Sequence, residues 1–198
     1  MVAAPLHRAT LADLDRTPDD GRRYEIIDGE LIVSASPSLR HQSTVMEIAY
    51  ELRTWVRQHE LGIVVPAPFD IVVDQHPERT TVVQPDVVFV STAKLVGVDE
   101  NDRFHGIPDL VVEVISPTSQ GYDSVTKLLR YLRSAVPEYW LVDPRAETFI
   151  VMRVEGDSYV PVEPDADGRL TSAVLSGLKV DPAAIFAAAR RGLSGGQG

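Results

Sequence analysis

Two segments constrain this chain more than any others: "QPDVVFVS" at 84–91 and "PDLVVEVIS" at 108–116. Each sets a Pro-Asp step ahead of a run of β-branched and other apolar residues, the pattern of a strand buried on both faces. The second run carries an anomaly. Asp109 opens it and Glu113 sits inside it. Alternation by two puts Asp109, Val111 and Glu113 on one strand face. A carboxylate buried there without a partner costs several kcal/mol or shifts its pKa strongly upward. Glu113 therefore requires a cation, a positive side chain or a network of donors.

The remaining pattern supplies the layers around such strands. Thr10 reads as the N-cap of a short helix that stops near Pro18. The apolar runs Tyr24–Ile27 and Leu31–Val33 flank Asp28-Gly29, a tight-turn dipeptide, and so predict a hairpin. Val45, Ile48, Ala49, Leu52, Trp55 and Val56 recur at helical spacing and predict the longest helix, ended by Gly62. Ile63–Val65 and Phe69–Val73 suit adjacent strands, with Pro66 and Pro68 marking an edge or bend. Segment 80–91 reads as one strand centred on Val87–Val90, and 92–107 as a polar connection with about one helical turn. Segment 117–135 reads as a helix with Leu128, Leu129 and Leu132 apolar and Lys127, Arg130 and Arg133 polar. A strand over "PEYWLVDP", a hairpin over Gly156-Asp157 and a terminal helix opening at Pro182 after Asp181 complete the order. Strand–helix alternation is irregular, so the class is α/β or α+β with a mixed central sheet.

The chemistry gathers around the two Pro-Asp strands. Asp86 and Glu113, on neighbouring strands, suit a hard divalent ion held through oxygen. Such an ion polarises a phosphodiester and lowers the pKa of a bound water. In "YDSVTKLLRYL", Asp123, Lys127 and Tyr131 recur every four residues and share a helical face. If that face packs over the sheet, Lys127 reaches the strand ends and can stabilise charge on phosphate oxygens. Spacing alone leaves blander readings open: Pro-Asp as turn chemistry, Asp123–Lys127 as a solvated helix pair, and Glu113 paired with an arginine across the sheet. Glu25 and His41 are weaker candidates, the first exposable by alternation and the second a capping or surface residue. Glu138, Trp140 and Asp143 suit packing and turns.

Composition narrows the class. At 198 residues, the chain is expected to be one domain over 1–190 with a flexible Gly-rich tail at 191–198. It has no cysteine, which excludes disulfides and thiolate metal sites. No stretch approaches the ~20 apolar residues of a membrane helix. The N-terminal segment does not read as a signal peptide, so the cytoplasm is the expected compartment. A formal net charge of −10 argues against a broad basic coat for nucleic acid. Scattered cations remain for phosphate: Arg40, Arg53, Arg57, Lys127, Arg130 and Arg133.

Four blocks, "YEIIDGELIVSASPSLRHQ", "QPDVVFV", "PDLVVEVISPTS" and "YDSVTKLLRYLRSAVPEYWLVDP", together resemble the Uma-type putative restriction endonucleases, formerly a domain of unknown function, within the PD-(D/E)XK nuclease superfamily. The resemblance runs from about Tyr24 to Asp143. It implies a restriction-endonuclease-like fold: a mixed four-stranded sheet core flanked by helices, with added hairpins. It implies an endonuclease that hydrolyses DNA with Mg2+ or Mn2+ held by Asp86 and Glu113. The superfamily's acid-x-Lys position falls on Ile115 here, and Lys127 matches the lysine migrated to the following helix. Glu25 and His41 match positions near the same pocket, and Glu47 is a candidate helical acid. Superfamily members often dimerise, which makes Tyr139, Trp140 and the last hairpin candidates for an interface. Two alternatives stand beside this reading: a non-catalytic nucleic-acid or partner-binding module on the same fold, and a metal-dependent hydrolase of another substrate.

Overall fold

The computed structural model describes residues 8–76, 79–116 and 122–191, with backbone alone at 122–124. In chain order the elements are α1 (Leu11–Leu14), β1 (Arg23–Ile27), β2 (Glu30–Ser34), α2 (Leu39–Gln58), β3 (Gly62–Pro66), β4 (Ile71–Asp74), β5 (Thr81–Val83) and β6 (Val87–Ser91). After a 3-10 turn at Thr92–Leu95 come β7 (Phe104–His105), β8 (Leu110–Val114), α3 (Tyr122–Arg133), β9 (Glu138–Asp143), β10 (Thr148–Glu155) and β11 (Ser158–Pro161). The chain closes with β12 (Leu170–Thr171), β13 (Lys179–Val180) and α4 (Pro182–Arg191). Of the tail expected from 191 onward, Arg191 closes α4, and 192–198 lie outside the described residues.

The strands form two main sheets. A six-stranded sheet runs β11-β10-β9-β8-β6-β3 and a five-stranded sheet runs β2-β1-β5-β4-β7. In the first, β8 and β9 are parallel and the other pairs antiparallel. Parallel neighbours need a crossover connection, and α3 supplies it. The expected four-stranded mixed core corresponds to β9-β8-β6-β3, extended by the β10–β11 hairpin.

Strand alternation sorts the core into layers. Val87, Phe89, Leu110, Val112 and Val114 pack with Val45, Ile48, Leu52 and Val56 of α2 and with Ile185 and Phe186 of α4. Each of those buried apolar side chains contributes about 1.5–3 kcal/mol. Val88, Val90 and Val111 face the other way, toward Tyr131, Tyr139 and Ile71. Tyr24, Ile26, Val72 and Val82 cover the outer side of the five-stranded sheet together with Leu14 of α1.

Several sequence expectations change here. Segments 63–65 and 69–73 are not neighbours: β3 is an edge of the six-stranded sheet and β4 belongs to the five-stranded one. Segment 80–91 is two strands in different sheets, broken at Gln84-Pro85-Asp86. Val-Val pairs flank that break on both sides, and the apolar pattern does not say that the second pair joins another sheet. Helix α2 stops at Gln58, and Glu60 rather than Gly62 takes the left-handed conformation after it (φ 53°). Gly62 serves β3: a Cβ there would lie 2.1 Å from the Val90 carbonyl oxygen. In helix α3, Leu128 packs against the core and Arg133 is exposed, but Arg130 turns inward. Lys127, Arg130 and Tyr131 are buried while Leu129 is exposed. Tyr139 and Trp140 are fully buried core residues, which removes both from any interface.

Candidate active site

The break between β5 and β6 places Asp86 where the chain crosses from one sheet to the other. Four further segments converge on it. Strand β1 brings Arg23 and Glu25, two residues apart and therefore on one face, while Tyr24 and Ile26 face α1. The N-terminal turn of α2, capped by Ser38 accepting from the His41 amide, brings His41. Strand β8 brings Glu113 and α3 brings Lys127 and Tyr131.

Asp86 is buried among donors. Arg23 Nη1 lies 2.7 Å from Oδ1, His41 Nε2 lies 3.2 Å from Oδ2, and the Val114 amide donates to Oδ2 at 2.7 Å. Burial alone would push the Asp86 carboxyl up, but the His41 hydrogen bond, the charges of His41 and Arg23 and the Val114 N–H together hold it below the ordinary aspartate value. Despite its nearness to Arg23, Oδ1 makes no aligned hydrogen bond, and neither does the buried His41 Nδ1.

Glu113 finds the partner that its burial demands. Tyr131 Oη donates to Oε1 at 2.7 Å, and Lys127 Nζ lies 3.4 Å from both carboxylate oxygens. Lys127 also reaches Glu25 Oε2 at 3.0 Å, and Glu25 Oε1 accepts from the Gln84 amide at 2.8 Å. Lysine 127 thus bridges the two sheets. Burial raises the Glu113 carboxyl to about 7; Lys127 and the Tyr131 hydrogen bond oppose the rise, and the charges of Asp86 and Glu25 add to it. An acid whose folded pKa exceeds its unfolded one adds stability that is complete below the unfolded value and is lost as pH rises through the folded one. The window runs from 4.5 to about 7. Glu113→Gln is therefore expected to flatten the decline in unfolding free energy across that window, which should amount to a few kcal/mol at about 1.4 kcal/mol per unit. Denaturant melts at about pH 5 and about pH 8 check this; parallel declines in wild type and variant would exclude Glu113 as the source.

Arg23, Glu25, His41, Asp86, Glu113 and Lys127 line one cleft of about 50 Å3. A water occupies about 10–15 Å3 of such space, so the cleft admits an ion with part of its water shell but not a nucleotide. Among the described residues, no three His, Asp or Glu side chains are grouped as ligands of one ion. A two-carboxylate site is compatible with that, because Mg2+ keeps several waters and takes one or two carboxylates. The buried Asp86 Oδ1, short of a hydrogen bond, is the donor that fits.

All five expected site residues, Asp86, Glu113, Lys127, Glu25 and His41, meet in this cleft. Others do not. Asp109 lies ahead of β8, at the far end from Glu113, accepting from the Ser91 amide and pairing with Lys94. Glu47 is half-buried on α2 and does not line the cleft. The Asp123 side chain lies outside the described residues. Arg130 is buried against Asp28 at the β1–β2 turn, so it is not a surface cation for phosphate. Glu138 is structural, accepting from Trp140 Nε1 and the Ala173 and Val174 amides. Arg23 escaped the sequence reading. Its signal was the Arg-x-Glu spacing of "RYE", which puts both charges on the face of β1 away from Tyr24 and Ile26.

The cleft lies beside a mixed sheet carrying a crossover helix. The Uma2 family, described as "Putative restriction endonuclease", matches residues 11–183, and the chain belongs to it. A crystal structure of a "putative nuclease belonging to DUF820" from Anabaena variabilis ATCC 29413 is similar, with a TM-score of 0.72 and 22% identity over 91% of this chain and 98% of that one. That likeness carries the fold. No curated protein matches. No described helix is long and apolar enough to cross a membrane.

Proposed function

We propose that this protein is a divalent-metal-dependent endonuclease that hydrolyses DNA phosphodiester bonds, using Mg2+ or Mn2+. The observation that carries the reading is the convergence of Asp86, Glu113 and Lys127 from a sheet crossing, a strand and a crossover helix on one cleft. Asp86 and Glu113 would hold the ion, which when bound supplies Lewis-acid polarisation and a water of lowered pKa. Lys127, within 3.4 Å of Glu113, is set to stabilise charge developing on a phosphate oxygen. Glu25 positions the Lys127 ammonium, Tyr131 orients Glu113 and His41 orients Asp86. With DNA as substrate, the cytoplasm is the compartment; a homodimer would have to use a surface other than Tyr139 and Trp140.

A second reading has an observation of its own. Both acids already have cationic partners inside the protein, as a non-catalytic binding module on the same fold would have. Supercoiled plasmid with Mg2+ separates the two. Wild type should nick it, and Asp86→Ala and Lys127→Ala should not. Equal nicking by all three would expose a contaminant. Salt-dependent DNA binding without nicking would leave the binding module, and neither binding nor nicking would leave a hydrolase of another substrate.

A further inference from the structure

Arg23 sits where a cation belongs. Its Nη1 lies 2.7 Å from Asp86 Oδ1, in a contact where Asp86 is 2% and Arg23 17% exposed at the side chain. Arginine frequently grips a carboxylate with two parallel hydrogen bonds. Here Oδ1 makes no aligned hydrogen bond, and Oδ2 is already taken by His41 and the Val114 amide. The contact is one of charge, on the one Asp86 oxygen that makes no hydrogen bond. Arg23 also narrows the charge imbalance in the cleft. Glu25, Asp86 and Glu113 supply three carboxyl groups, and Arg23 and Lys127 supply the fixed positive charge. A divalent ion arriving at Asp86 brings two more positive charges beside the guanidinium. A single 2.7 Å charge contact then holds it against the incoming ion, and its partial exposure gives it room to turn outward.

We propose that Arg23 is a resident counter-ion that occupies the Asp86 side of the metal position and yields it when a divalent cation binds. Metal loading is thus a displacement, and Arg23 sets its threshold concentration. The inference rests on the reading of Asp86 and Glu113 as metal ligands.

Mn2+ is the probe, titrated calorimetrically into the full chain without DNA. Arg23→Met keeps most of the stem and removes the charge. It should bind Mn2+ at least about 10-fold more tightly than wild type, equal to about 1.4 kcal/mol, and Arg23→Lys, which restores a point charge, should return towards wild type. In wild type, the Arg23 side-chain NMR resonance should shift on titration with diamagnetic Mg2+; this second measurement stands even if Arg23→Met does not fold. Equal or weaker Mn2+ binding by folded Arg23→Met, or an Arg23 resonance unmoved at Mg2+ saturation, overturns the displacement while leaving the metal site intact. Absence of Mn2+ binding by wild type and Arg23→Met alike overturns the metal site and the displacement together.

Discussion

Lys127→Met is expected to lower Mg2+-dependent nicking by about 10^2 to 10^3, the effect of deleting one group that stabilises transition-state charge. The same substitution should destabilise the fold, and by an amount that depends on pH. Lys127 Nζ is the shared partner of Glu25 and Glu113, so its loss leaves two buried carboxylates facing each other. Breaking a buried pair costs about 3–5 kcal/mol when the remaining charge cannot be discharged. Glu113 can be discharged. Its carboxyl already stands at about 7, and removing the ammonium removes the main influence holding it down. The loss in unfolding free energy should therefore be large at about pH 8.5 and much smaller at about pH 5.5, where Glu113 carries a proton in both proteins. Lys127→Arg should not restore nicking, because a planar fork cannot reproduce a compact ammonium placed between two acids. Nicking rates and denaturant melts at the two pH values read both effects. A pH-independent loss of stability would mean that Lys127 is a packing residue and that Glu113 does not titrate beside it.

Asp86→Ala should abolish nicking and cost about 3–5 kcal/mol of stability, because it strands Arg23, His41 and the Val114 amide at once. At roughly 2–4 °C per kcal/mol for a protein of this size, the midpoint of thermal unfolding should fall by about 10 °C. Asp86→Asn should lose nicking equally but keep more stability, since its amide oxygen still accepts from Val114. The pH sign is opposite to that of Glu113. A carboxyl held below 3.8 adds stability that is present above that value and is lost as pH falls through the folded one. The stability gap between wild type and Asp86→Ala should therefore close in acid. A gap that stays constant down to about pH 2 would mean that Asp86 contributes shape rather than charge.

Much of this cleft was legible in the sequence, for a physical reason. A carboxylate in an apolar strand is expensive, so Glu113 announced both itself and its need for a partner, and the helix after it offered Lys127. The helical four-residue step likewise brought Tyr131 along, and it became the hydrogen-bond donor to Glu113. What stayed hidden was long-range. Nothing local in "TTVVQPDVVFVS" says that the chain changes sheets at Asp86, because β5 and β6 carry the same valine pattern. Nothing in helical periodicity says that Arg130 turns inward; that follows from Asp28 at the β1–β2 turn. Arg23 was missed because an Arg in a hairpin strand defaults to solvent, and only the position of Asp86 makes it an inward charge. Asp109, at the opposite end of β8 from Glu113, accepts from the Ser91 amide and pairs with Lys94.

The Asp86 crossing has a consequence for how the molecule comes apart. Arg23 and Glu25 ride on the five-stranded sheet, Glu113 on the six-stranded sheet, and Asp86 on the span between them. The cleft therefore belongs to neither half. Local opening that parts the two sheets dismantles it before either sheet has lost its own hydrogen bonds, so amide protons of β8 and β9 can remain protected in a protein whose cleft has already dissolved.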